Sequence, residues 1–259
     1  MKRIIIFFTC LVVLTSVSYS QQKKAEESSP LFPVKQNDKW GYIDKTGKVV
    51  VEPQFKFATF FSEGLSQINV NNKWGYVDKT GKIVIEPQFD WAWEFSEGLA
   101  IVKIEKNYGY IDKSGKVVIE PKFSKVRSFS DSLAPIMIDN KWGYIDKTGK
   151  MVIEPQFNNA FNFSEELAVV TVDDKWGYID KTGKTVIEPQ FNKAGIFSEG
   201  LAGVLVKKKY GYINKTGEAV IKPQFRVAWE FSGGLALVRI GDKYGYIDKT
   251  GKYVWEPTN

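Results

Sequence analysis

The sequence predicts an all-β protein made of tandem 34-residue repeats, each a three-stranded antiparallel meander followed by a short connector. Three observations carry that expectation. An aromatic residue followed by glycine recurs at Trp40, Trp74, Tyr108, Trp142, Trp176, Tyr210 and Tyr244, always 34 residues after the last, with no insertion or deletion. A fixed period of this size marks a solenoid, a propeller or a linear array. Within each period the apolar residues alternate as they do along a strand. Composition agrees: 43% hydrophobic and 15% aromatic residues suit a packed core rather than a disordered chain.

Residues 1–20 read as a secretory signal peptide. Lys2 and Arg3 give the charged start, Ile4 to Leu14 an almost unbroken apolar run, and Ser18-Tyr19-Ser20 small residues before a cut at Gln21. The run falls short of the roughly 20 apolar residues a spanning helix needs, and nothing later approaches that length, so no transmembrane segment is expected in the mature chain. Cys10 follows only Ile4, Ile5, Ile6, Phe7, Phe8 and Thr9 of the apolar region, which disfavours a lipoprotein. Cleavage after Ser20 leaves no cysteine, which suits an exported protein in the periplasm, at the cell surface or secreted. Residues 21–30 (QQKKAEESSP) lie outside the period and read as a polar linker. The seven-unit domain then runs over residues 31–257.

One unit, Leu99 to Pro121, shows how the elements follow from the residues. Ala100, Val102 and Ile104 alternate with Ile101, Lys103 and Glu105, giving a first strand. Lys106-Asn107 turns the chain into a second strand through Tyr108-Gly109-Tyr110-Ile111-Asp112. Lys113-Ser114-Gly115 is a three-residue hairpin loop whose glycine can take positive φ. Val117-Val118-Ile119 is β-branched, and Pro121, lacking a donor, is expected to end this third strand. The connector carries a first Phe (Phe89), a small apolar residue three later (Ala92) and a second Phe three beyond (Phe95). That spacing fits a tight helical turn, while the alternation of Phe89, Trp91, Trp93 and Phe95 leaves an extended fourth strand open. The units are expected to stack in an open, curved array, with a closed seven-bladed ring as the alternative.

The run Lys-Trp-Gly-Tyr-Ile-Asp-Lys-Thr-Gly-Lys, followed by Val-Ile-Glu-Pro-Gln-Phe and Phe-Ser-Glu-Gly-Leu-Ala, resembles the WG-repeat family of bacterial proteins across essentially the whole mature chain. The resemblance implies an all-β, exported or surface repeat protein and supplies no chemistry. Departures are mild: Tyr108, Tyr210 and Tyr244 replace Trp, Lys222 replaces the usual Glu, and Pro135 stands in a first strand.

The residue inventory excludes much. Without His there is no Ser-His-Asp triad and no imidazole metal site, and one Cys makes neither a disulfide nor a thiolate zinc site. Cutting off Lys2 and Arg3 leaves 34 basic against 30 acidic residues, interleaved rather than striped, so no nucleic-acid role is expected. The turn acids (Asp44, Asp78, Asp112, Asp146, Asp180, Asn214, Asp248) read as turn caps rather than a protease dyad or calcium loop. The Glu-Pro column (Glu52, Glu86, Glu120, Glu154, Glu188, Glu256) reads as ion-pair partner to lysines such as Lys48 or Lys82; a hydrolase with a hidden acid pair is the lesser alternative. No catalytic, cofactor or metal residue is assigned.

Function is expected at the positions where units differ. Two and four residues after the first Phe stand Phe57/Thr59, Trp91/Trp93, Lys125/Arg127, Asn159/Phe161, Lys193/Gly195 and Val227/Trp229. Large aromatics and arginine have the composition of interface anchors, so Trp91, Trp93, Arg127, Phe161 and Trp229 are the candidate partner-binding residues. The Trp/Tyr-Gly column is assigned to stacking between units; glycan or cell-wall binding along it is the alternative. The expectation is a non-enzymatic binding or scaffold module for a protein or a cell-envelope glycan.

Overall fold

The computed structural model describes residues 30–258. The signal peptide, Cys10 and the linker up to Ser29 lie outside the described residues. The chain divides into two compact units, one reaching to Phe95 and taking in Lys113–Gly115, the other holding Ser96–Asp112 and everything from Lys116 onward.

The first unit contains a three-stranded sheet (Phe32–Gln36, Lys39–Ile43, Val49–Phe55) and a four-stranded one (Phe57–Ala58, Leu65–Val70, Lys73–Asp78, Ile83–Phe89), followed by the strand Trp91–Ser96 up to Phe95. The second unit opens with the meander Leu99–Ile104, Asn107–Asp112, Val117–Phe123. Four sheets of four strands follow: the fourth sheet of the chain (residues 125–157), the fifth (159–191), the sixth (193–225) and the seventh (227–258). Every strand pair in these sheets is antiparallel, no sheet closes on itself as a barrel, and the described residues contain no helix.

The connector therefore supplies a strand, six residues long at Trp91–Ser96 and Asn159–Ser164 and two residues long at Phe57–Ala58, Lys125–Val126, Lys193–Ala194 and Val227–Ala228, and the helical turn that its spacing suggested does not form. Its backbone pairs with the edge of the meander that follows: Ala160 lies opposite Val170, and Asn158 N donates to the Thr171 carbonyl at 2.9 Å. A helical turn would have left that edge without partners. The misleading period of three has a local cause. A register shift between Ala160 and Phe163 inserts one extra residue, so both side chains return to the same buried face.

Nor does the third strand end at proline. Tyr108 pairs with Phe123 and Tyr110 with Ile119, so Gly109 alone faces Glu120, Pro121 and Lys122. The bulge takes in a residue that has no N–H to give the ladder. It also explains the glycine of the aromatic-Gly pair: a Cβ on Gly109 would lie 2.4 Å from the Ile119 carbonyl oxygen and 2.7 Å from Pro121 N. Both are backbone atoms and cannot step aside.

The turns follow their residues. Asn71-Asn72, Asp139-Asn140 and Asp173-Asp174 each place two consecutive residues at positive φ, the two-residue hairpin turn that matches strand twist. In the longer turn Asp78 Oδ1 accepts from Thr80 N at 2.9 Å, Thr80 Oγ1 at 2.6 Å and Lys82 N at 3.1 Å. Asn214 keeps the same bonds to Thr216 and Glu218 with a neutral side chain.

Within each unit the core lies between one sheet and the next. Tyr144, Ile153 and Phe157 of the fourth sheet pack with Ala160, Phe163, Ala168, Val170 and Ile179 of the fifth. The deepest column is the tyrosine two residues after the aromatic-Gly aromatic: Tyr42, Tyr76, Tyr110, Tyr144, Tyr178 and Tyr212 are fully buried. The aromatic-Gly column itself is shallower. Trp74 and Trp142 are buried, Trp40, Tyr108, Trp176 and Tyr210 half-buried, and Tyr244 exposed.

Two substitutions check this packing by urea unfolding. Gly143→Ala should lose about 1–3 kcal/mol, since its Cβ would sit 2.4 Å from the Ile153 carbonyl oxygen. Trp142→Ala should lose about 3–5 kcal/mol, and half-buried Trp40→Ala visibly less. Wild-type stability in Gly143→Ala would refute the steric account of that glycine.

Candidate recognition face

The buried tyrosines explain how the free positions are held. A phenol hydroxyl taken out of water needs a partner, and here the partner is the backbone carbonyl 17 residues on. Tyr76 donates to Trp93 O at 2.6 Å, Tyr110 to Arg127 O at 2.8 Å, Tyr144 to Phe161 O at 2.8 Å, Tyr178 to Gly195 O at 2.8 Å and Tyr212 to Trp229 O at 2.7 Å. Tyr42 does the same to Thr59 O at 3.1 Å. Those acceptors belong to a column whose residue changes between repeats, from Thr59 through Arg127 to Trp229. Each bond grips the main chain, so the side chain at that position is left to differ.

Around this column the candidate residues meet the aromatic-Gly aromatics. In the first unit Trp91 packs 4.8 Å from Trp74 and 5.8 Å from Trp93, between ring centroids. In the second unit the Arg127 guanidinium lies 5.2 Å from the Trp142 ring and 4.8 Å from that of Phe161, a cation held over two π faces. Arg127 Nε also donates to Ala160 O at 3.0 Å. Phe161 stacks on Trp176 at 5.3 Å, and Trp229 approaches Tyr244 at 6.1 Å. Trp91 and Trp229 are exposed (46% and 43%), whereas Trp93, Arg127 and Phe161 are half-buried. Trp91 and Trp93 stand together in the first unit; in the second, Arg127 lies over Phe161, and Trp229 stands on the seventh sheet beside Tyr244.

Polar contacts repeat with the same discipline. Ser62 Oγ donates to Phe95 O at 2.7 Å, and Ser96, Ser130, Ser164 and Ser198 each reach the carbonyl 33 residues on in the same way. The Glu-Pro glutamates are exposed and do not form the expected ion pairs with Lys48 or Lys82. Their place on the bulge takes them away from the ladder. The turn lysines supply the ion pairs instead: Lys113 to Glu63, Lys147 to Glu97, Lys215 to Glu165 and Lys249 to Glu199, at 3.0–3.1 Å. The described residues contain no group of three or more acidic, His or Cys side chains placed to hold a metal.

The family model for the WG containing repeat matches residues 40–74, 74–108, 108–142, 142–176, 176–210 and 210–244. The chain belongs to the WG-repeat family. No curated protein sequence matches this WG-repeat protein. Among solved structures it is similar to a eukaryotic initiation factor (11% identity, TM-score 0.65, covering 90% of this chain and 74% of that one). It is also similar to Hsv2 of Kluyveromyces lactis (8% identity, TM-score 0.52, 90% and 95%). A third likeness is to the dihydro-heme d1 dehydrogenase NirN (14% identity, TM-score 0.50), where it covers 88% of this chain and 64% of that one. At such identities the likeness is one of fold, that of repeated β-sheets.

The tyrosine column gives the WG-repeat protein an alkaline limit. Burial pushes the Tyr42 phenol up to about 12, against bonds to Ser66 and Thr59 that lower it, and burial also raises Tyr76, Tyr110, Tyr144, Tyr178 and Tyr212. Unfolded tyrosine ionises near pH ~10. Below that both states hold the proton and the contribution is complete; as pH rises from about 10 through the folded values, the unfolded state alone releases it and stability falls. Urea midpoints should therefore drop steeply above about pH 10, and Tyr144→Phe should shallow the drop. It should also cost about 1–3 kcal/mol at neutral pH, because the Phe161 carbonyl loses its donor. A flat profile through pH ~11 would contradict the buried, protonated column.

Proposed function

We propose that this WG-repeat protein is a non-enzymatic binding or scaffold module, exported from a bacterial cell, that recognises a protein or a cell-envelope glycan. The observation carrying this is the division of labour at the connectors. The tyrosine-to-carbonyl bond is the same in every repeat from Tyr42 to Tyr212, while the residues on the gripped carbonyls are Thr59, Trp93, Arg127, Phe161, Gly195 and Trp229. A constant frame presenting different side chains suits recognition. The acidic columns recur along the array, and the copies that depart, Asn214 and Lys222, lose the acid rather than gain a partner for it, which favours binding over catalysis. Export rests on the charged start and apolar run of residues 1–20. A second form of the reading, glycan stacking on the aromatic-Gly column, is favoured by the partial exposure of Trp176 and Tyr210.

Affinity capture from bacterial envelope fractions tests the proposal, with Trp91→Ala/Trp93→Ala, Arg127→Ala and Trp229→Ala variants whose melting is checked first. Loss of capture by about tenfold or more in at least one folded variant is expected, as for truncation of an interface anchor. Undiminished capture by all three would remove the connector face as the recognition surface.

A further inference from the structure

One repeat departs from the others at two facing positions. In the sixth sheet the free column carries Gly195, and the first long strand carries Gly203, whose carbonyl accepts from Gly195 N at 2.9 Å. Elsewhere the first column reads Thr59, Trp93, Arg127, Phe161 and Trp229, and the second Gln67, Ile101, Pro135, Val169 and Leu237. Backbone geometry does not demand either glycine. Neither lies at positive φ, and a Cβ would meet nothing closer than 3.6 Å at Gly195 or 3.8 Å at Gly203. This contrasts with Gly211 in the same sheet, where a Cβ would lie 2.4 Å from a carbonyl oxygen. The pair of glycines leaves space, and both line a cavity of about 640 Å³.

The walls of that cavity include Trp176, Tyr210 and Trp229. Trp229 is exposed, while Trp176 and Tyr210 are half-buried. Lys193 and Glu230, both exposed, line it as well, so the two formal charges cancel. The volume falls within the range of sites for small molecules, about 300–1,000 Å³. A cation would be drawn by the aromatic faces and Glu230 but opposed by Lys193; an anion meets the reverse. A neutral ring with one apolar C–H face and a rim of hydroxyls fits both features at once. Its face lies on an aromatic side chain, and its hydroxyls give to a carboxylate and take from an ammonium.

We infer that the cavity beside Gly195 and Gly203 is a binding site for a pyranose ring of a glycan. This rests on the reading of the connector face as a recognition surface and locates one ligand on it. The test is titration of the folded chain with cellotriose, maltotriose and chitotriose, followed by tryptophan fluorescence and calorimetry. Gly203→Val and Gly195→Thr place there the residues that other repeats carry at Val169 and Thr59, so both variants should melt with the wild type. Saturable binding of at least one trisaccharide is expected. It should weaken about tenfold or more in Gly203→Val and in Trp229→Ala, and be unchanged in Trp91→Ala. Absence of saturable binding to all three sugars, or binding untouched by Gly203→Val, overturns the inference. If sugar binding fails while envelope capture still depends on Trp91, Arg127 or Trp229, the glycan site falls and the recognition face stands; if capture is indifferent to all of them, the recognition face falls as well.

Discussion

A phenol buried between two sheets must donate its proton somewhere, and that requirement organises the repeats of this protein from Tyr42 to Tyr212. The carbonyl that accepts it belongs to the connector, so satisfying the tyrosine fixes where the connector runs. With its path fixed, the connector lies along the edge of the next meander and becomes its fourth strand. The bond itself contributes only about 1 kcal/mol net, but leaving either group unmet in the core would cost more. The arrangement is therefore specified less by what the bond adds than by what its absence would cost.

The same economy holds from one sheet to the next. Serine hydroxyls reach carbonyls 33 residues on, and Glu97, Glu165 and Glu199 accept from backbone amides 35 residues on, at Ser132, Gly200 and Gly234. The ion pairs that accompany them are partly exposed and contribute little, roughly 0–1 kcal/mol each. Apolar burial between adjacent sheets, with Phe163 and Phe197 almost wholly covered, supplies the larger share. Within a unit, contacts of this kind join each sheet to its neighbour.

Much of this was legible in the residues. The period of 34, the all-β character, the seven meanders and the turn-capping acids follow from spacing and side-chain chemistry alone. Three features were not. The connector strand was masked by a bulge between Ala160 and Phe163, which gives a β-segment the spacing of a helical turn. The continuation of the third strand through proline depends on Gly109 across the ladder, a long-range relation invisible in the strand's own composition. The depth of the tyrosine column is not legible in sequence because two aromatics flank the same glycine, as in Trp142-Gly143-Tyr144, and the strand pattern alone does not say which is the more deeply buried. Among candidate residues, Trp229 and the Trp/Tyr column were visible in sequence. The cavity they share is marked only by two glycines standing where other repeats carry side chains, a signal that alignment of the repeats against one another brings out.

Because the tyrosine holds a main-chain oxygen, the residue bearing that oxygen is released from duty to the frame. Thr, Trp, Arg, Phe and Gly have all been accepted there. For a lineage carrying such a gene, single-base changes at those codons can revise what the protein displays while the bond that holds the connector's main chain stays in place. Duplication or loss of a 34-residue block would likewise lengthen or shorten the display by whole steps, in frame and with its hydrogen bonds already matched. The architecture thereby separates the inheritance of a fold from the inheritance of a specificity.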